Sequence, residues 1–158
     1  MHFDLVRMTP VHLFAASSGE PNEGDPHSDK RASEVTKNAR VLIVEDESLV
    51  AMNMELTLVE AGFRVVAVVD TEKDAIEAAQ RLRPDVVLMD VTLRDGDGIV
   101  AAAEIYRMLQ LPVIFVTGNT DMRTLNAIKQ VPSSGLIRKP FVSDRLAALV
   151  HDAVAGKA

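Results

Sequence analysis

From Arg40 onward the chain alternates short, nearly continuous apolar runs with longer segments whose apolar residues recur at helical spacing. The runs "VLIV" (41–44), "RVVAVV" (64–69), "DVVLM" (85–89), "VIFV" (113–116) and "GLIR" (135–138) are short and rich in β-branched side chains. That pattern predicts strands buried on both faces. The first segment between them carries Leu49, Met52, Leu56 and Val59 at helical spacing, the pattern of a core-facing stripe, and ends at Gly62 as a C′ glycine. The second opens with Thr71 and Asp74 in capping-box spacing and stops before Pro84. A third helix is predicted from Ile99 to Leu109 and a fourth from Asp121 to Gln130. A fifth starts near Ser143, with Leu146, Leu149 and Val150 facing inward. Five β-α units in regular alternation predict an α/β fold, a parallel sheet covered by helices on both faces.

The beginning of the chain reads differently. Residues 19–38, "GEPNEGDPHSDKRASEVTKN", have almost nothing to bury and are expected to form a disordered linker. Ahead of them, Phe3, Leu5, Val6, Met8, Val11, Leu13 and Phe14 form an apolar segment too short to fold alone; docking on the domain and a free extension are both open for it. The expected organisation is an N-terminal extension and linker over residues 1–38 and one folded domain over residues 39–155.

Composition narrows the function. With 158 residues and 47% hydrophobic side chains, the chain suits one globular domain with a sizeable core. The absence of cysteine excludes a disulfide scaffold and thiolate metal sites, and fits a cytoplasmic location. A formal net charge of −6, with no clustered Lys and Arg, argues against nucleic acid as a partner. No apolar run reaches the roughly 18 residues of a membrane span, and the N-terminus lacks a basic leader, so no membrane association is expected.

The chemistry gathers at strand ends. In an open parallel sheet the ligand site lies outside the carboxyl ends of the strands. Glu45 and Asp46 follow the first strand, and Asp90 ends the third after four apolar residues. If those strands are neighbours, three carboxylates converge, and like charges so close call for a cation among them. An all-oxygen set favours Mg²⁺ or Mn²⁺. Taken singly, Glu45, Asp46 and Glu47 are explained by the helix that follows them, and Asp95 and Asp97 read as turn formers beside Gly96 and Gly98. Asp90 has no such turn chemistry around it. Thr117 ends the fourth strand with a hydroxyl, and Lys139 follows the fifth ahead of Pro140 and Phe141. An ammonium and a hydroxyl at the same sheet edge can hold phosphoryl oxygens while a metal neutralises others.

In type and spacing, the series Glu45-Asp46, Asp90, Thr117 and Lys139-Pro140-Phe141 resembles the receiver domain of bacterial response regulators, over about Arg40 to Val154. The resemblance implies a flavodoxin-like (βα)5 doubly wound sheet with strand order 2-1-3-4-5. It implies Asp90 as phosphoacceptor, and Mg²⁺ held by Glu45, Asp46, Asp90 and the backbone carbonyl of Thr92. It makes Thr117 the switch hydroxyl and Lys139 the cation that pairs with the phosphoryl group, with a peptide before Pro140 that is often cis. The phosphodonor it implies is a sensor histidine kinase or a histidine phosphotransferase, and the domain catalyses only its own phosphorylation and dephosphorylation.

The sequence also departs from the family's common pattern. Arg94 stands where a proline is usual, and Leu136 where Tyr or Phe is usual. "FVTGNT" (115–120) resembles the FAT GUY subgroup, which dispenses with that aromatic and whose members often work with HWE-type kinases. Only "AGKA" follows the fifth helix, so the expected output is a single-domain regulator acting on a target protein or passing the phosphoryl group onward. A phosphatase of the haloacid-dehalogenase type needs an acid where Thr92 stands, and an EF-hand fails at Ile99. The remaining rival is an interaction module that keeps the fold without the phosphorylation; the complete residue set argues against it.

Overall fold

The computed structural model describes residue 34 and residues 36–156. The extension and linker expected over residues 1–38 lie outside the described residues up to that point. Just ahead of the first strand, Thr36 is buried and the Asn38 N–H donates to the Gly62 carbonyl at 2.9 Å.

Five strands and five helices alternate: β1 (Arg40–Val44), α1 (Ser48–Glu60), β2 (Arg64–Val69), α2 (Glu72–Leu82), β3 (Val86–Asp90), α3 (Gly98–Leu109), β4 (Val113–Thr117), α4 (Met122–Lys129), β5 (Gly135–Arg138) and α5 (Ser143–Gly156). The strands form one parallel sheet in the order β2-β1-β3-β4-β5, the order that the family resemblance implied. Because side chains alternate along a strand, each strand feeds two cores. Leu42, Val44, Val87, Met89 and Phe115 pack under α2 and α3, whereas Val41, Ile43, Leu88, Ile114 and Val116 pack under α1 and α5. Among the described residues no helix is long and apolar enough to cross a membrane.

Two expectations change. Strands β1, β3 and β4 are buried throughout apart from Arg40, but β2 is exposed or half-buried along its length, because as an edge strand it has a neighbour on one side only. Helix α1 forms where expected and ends at Gly62 (φ +91°), yet it turns its other face inward. Ala51, Met54 and Leu58 are buried, while Leu49, Met52, Leu56 and Val59 are 77, 53, 57 and 56% exposed. Apolar residues run around this helix, so spacing alone offers two faces and the sheet selects the one carrying Met54 and Leu58.

The loop between β3 and α3 fixes the end of β3. The Thr71 hydroxyl caps α2 by accepting from the Asp74 N–H at 3.1 Å. The helix start then holds the loop: the Glu72 N–H donates to the Asp95 carbonyl (3.0 Å), and the Glu72 carboxylate accepts from the Asp97 N–H (2.8 Å). Asp97 caps α3 by accepting from Ile99 N–H (2.7 Å). Gly98 donates to the Val91 carbonyl at 3.0 Å, so close to the strand end that an added Cβ would overlap the Asp90 carbonyl oxygen. The loop acids are therefore structural, as their turn chemistry suggested.

Gly98→Ala is expected to destabilise the domain by about 1–3 kcal/mol, the usual cost of overpacking a site that cannot give. Gly118→Ala, where nothing lies within 4 Å, is its control and should stay within about 0.5 kcal/mol of the parent in urea unfolding.

Candidate functional site

The strand order brings the strand-end residues to one edge. Glu45 and Asp46 leave β1, and Asp90 is the last residue of the adjacent β3. Thr117 ends β4, and the Lys139 N–H donates to its carbonyl at 2.9 Å, which holds the fifth connection against the fourth. One carboxylate oxygen from each of Glu45, Asp46 and Asp90 lies within 4.8 Å of the others. Glu45 and Asp90 are buried; Asp46 is half-buried.

Lys139 bridges the buried acids. Its ammonium lies 2.6 Å from Glu45 Oε2 and donates to Asp90 Oδ2 at 3.0 Å, with Glu47 Oε1 farther out at 3.7 Å. Its side chain is 14% exposed, against 0% for Glu45 and 5% for Asp90. The peptide joining Lys139 to Pro140 is cis. Breaking such a buried pair costs about 3–5 kcal/mol because an uncompensated charge remains.

Electrostatics records the crowding. Burial pushes the Glu45 carboxyl up to about 7; the bond to Lys139 and the Glu47 N–H oppose this, and the Asp90 charge adds to it. For Lys139 burial disfavours the ammonium, but the bonds to Glu45 and Asp90 outweigh it and hold its pKa above the usual lysine value. Glu45 Oε1 accepts from the Glu47 N–H at 3.0 Å, whereas Oε2, despite its contact with the ammonium, is a buried oxygen without a well-directed hydrogen bond. An under-satisfied buried oxygen facing two further carboxylates fits a hard divalent cation.

Thr117 stands apart. It is buried, and its hydroxyl is engaged in its own loop: it accepts from the Asn119 N–H (3.0 Å) and donates to the Asn119 carbonyl (3.3 Å). Asn119 Oδ1 in turn accepts from Asp121, whose carboxylate caps α4 through the Thr124 N–H at 2.7 Å. Thr92 is exposed and donates its N–H to Asp90 Oδ1 at 3.2 Å. Two participants escaped the sequence reading. Arg94, noted only as a replaced proline, donates to the Asp46 carbonyl at 3.4 Å and pairs with Asp70 at 3.8 Å. Asp70 follows β2 directly, so its position as another strand-end acid was the signal available.

The strand order, the strand-end acids and the lysine together make a doubly wound α/β domain with a charged crevice at the carboxyl edge of its sheet. Residues 41–151 match the family model described as response regulator receiver domain, and the chain belongs to that family. It is 33% identical over 111 residues to the transcriptional regulatory protein PdtaR of Mycobacterium tuberculosis, a match covering 70% of this chain and 54% of that one. It is 34% identical to the phyllosphere-induced regulator PhyR of Methylorubrum extorquens, over 72% of this chain and 43% of PhyR. The chain thus spans about half the length of these relatives. With chemotaxis protein CheY of Bacillus subtilis the identity is 32%, covering 71% of this chain and 94% of CheY. Among solved structures, the signal receiver domain of a modulated diguanylate cyclase from Desulfovibrio desulfuricans matches with a TM-score of 0.72 and 35% identity, over 75% of this chain and 94% of that one.

The raised Glu45 carboxyl has a sign that can be measured without metal. Between its ordinary value of 4.5 and about 7, the folded protein keeps a proton that the unfolded chain has released. This contribution to stability is complete below the lower value and is lost as pH rises through the upper one. In a chelator, Glu45→Gln should therefore flatten the fall in stability across that window. An unaltered pH profile in thermal unfolding would contradict the assignment.

Proposed function

We propose that this receiver domain takes up a phosphoryl group on Asp90 from a phosphohistidine of a sensor kinase, with HWE-type kinases among the candidates, or of a histidine phosphotransferase. The observation that carries this reading is the convergence of Glu45, Asp46 and Asp90 with Lys139 at the carboxyl edge of neighbouring strands. An Asp90 carboxylate oxygen attacks phosphorus, the phosphorus–nitrogen bond breaks, and the leaving imidazole of the donor keeps the bond's electron pair and takes a proton. Glu45, Asp46, Asp90 and the backbone carbonyl of Thr92 would hold Mg²⁺, which when bound neutralises charge on the transferring oxygens. The Lys139 ammonium turns from the ground-state carboxylates toward the new phosphoryl oxygens. The domain's own catalysis extends only to gaining and losing this group.

The signal then passes by protein contact or onward phosphotransfer. CheY, covered almost entirely by this match, is a relative in which a receiver makes up nearly the whole protein, which supports a receiver acting as a single domain. The switch centres on Thr117. Its hydroxyl exchanges Asn119 for a phosphoryl oxygen, which frees the Asn119–Asp121 contacts at the start of α4. Leu136 is half-buried against the core under α2 and α3 and has no ring to relocate, so the rearrangement falls on the loop and not on β5.

With acetyl phosphate and Mg²⁺, intact-mass measurement should show one added phosphoryl group on the parent and none on Asp90→Ala. Asp46→Asn should abolish most of the stabilisation by Mg²⁺, which for the parent is about 2.7 kcal/mol at a hundredfold excess over Kd. Equal labelling of the parent and Asp90→Ala would refute the acceptor, and a phosphorylation-independent module would show no labelling at all.

Amide chemical shifts with a phosphoryl mimic should change most over residues 117–130. Changes gathered at Leu136 and α5, with that stretch quiet, would overturn this account of the switch.

A further inference from the structure

We propose that residues 3–14 of the same chain cover the exposed apolar stripe of α1, a contact that stands whether or not Asp90 is the phosphoacceptor. The stripe is the largest run of uncovered apolar side chains on one described helix: Leu49, Met52, Leu56 and Val59 follow one another along α1, with Val68 of the edge strand, 41% exposed, beside Met52. Over Leu49 to Val59 it extends about 15 Å at the helical rise. Singly exposed apolar residues are ordinary, whereas an aligned set marks a contact surface.

The occupant is indicated by where the undescribed chain arrives. Asn38 is hydrogen-bonded to Gly62, two positions beyond the end of α1, so the N-terminal residues join the domain at the Val59 end of the stripe. Residues 15–33 contain no Val, Ile, Leu, Met, Phe or Tyr, while the preceding twelve contain seven such side chains. The apolar material therefore sits on a tether of roughly 20 residues, which as a coil has a root-mean-square reach of about 25 Å, enough to lay it along the stripe. At that tether length the segment is presented at an effective concentration in the millimolar range, so a modest apolar contact suffices. The other end of the stripe, Leu49, shares a cleft with Lys139, Pro140 and Phe141.

The chain has no cysteine, so Thr9→Cys provides a single attachment point for a nitroxide on the full-length protein. With the label paramagnetic, amides 49–60 should lose most of their intensity, while amides 98–109 of α3 on the opposite face keep theirs. Phe14→Ser in the segment and Met52→Glu with Leu56→Glu on the helix, both surface changes for the domain, should each restore the α1 signals while the domain still unfolds in one cooperative transition, its melting temperature lowered by only a few degrees as the contact is lost. Undiminished α1 signals, or losses gathered on another element, would overturn the proposal. So would losses that persist when nitroxide and isotope are on different molecules, since a second copy would then be the occupant.

Discussion

Everything at the functional edge of this domain depends on how two buried carboxylates from adjacent strands are kept company. Glu45 and Asp90 are nearly sealed from water, and the Asp90 charge adds to the cost of ionising Glu45. One ammonium, Lys139, answers both. It arrives from the far edge strand, and its position is set by the backbone bond between Lys139 and Thr117 and by the packing of β5 on β4. The charge balance is incomplete, since two carboxylates face one cation and a third lies at the rim. That deficit of positive charge makes the crevice a fit for a hard divalent cation.

The rest of the fold can be understood as holding that crevice still. Asp90 is the end of a strand buried along its whole length, and the loop that follows is tied from two sides: Glu72 grips it from α2, and Gly98 presses it against the Asp90 carbonyl. The opposite wall is looser. Thr117, Asn119 and Asp121 satisfy one another through short local bonds, which exchange at little cost. A carboxylate held fixed at a strand end thus stands beside a loop whose bonds are local.

Helix α1 shows how packing and recognition divide one element. Ala51, Met54, Thr57 and Leu58 face the sheet, and the Leu49-Met52-Leu56-Val59 stripe faces outward next to the site. Such a helix contributes to the core and keeps a second apolar face for contact.

The sequence by itself determined the alternation of five strands and five helices, the caps at Thr71 and Gly62, and the identity of the strand-end residues, because these follow from local periodicity and turn chemistry. It also marked Asp90, through the contrast between a carboxylate and the apolar run leading into it. Local periodicity left open which strands are neighbours; the family resemblance implied their order, and the assembled sheet shows it and hence which acids meet. Only the tertiary structure made β2 an edge and not a buried strand, and it turned Met54 rather than Leu56 toward the core. It also placed Arg94 against Asp46 and Asp70, and Thr117 against Asn119 instead of Asp90. The reason is physical: periodicity states that a helix has an apolar face, but where two faces qualify, or where charges come from distant strands, the choice is made by shape and proximity in the assembled sheet.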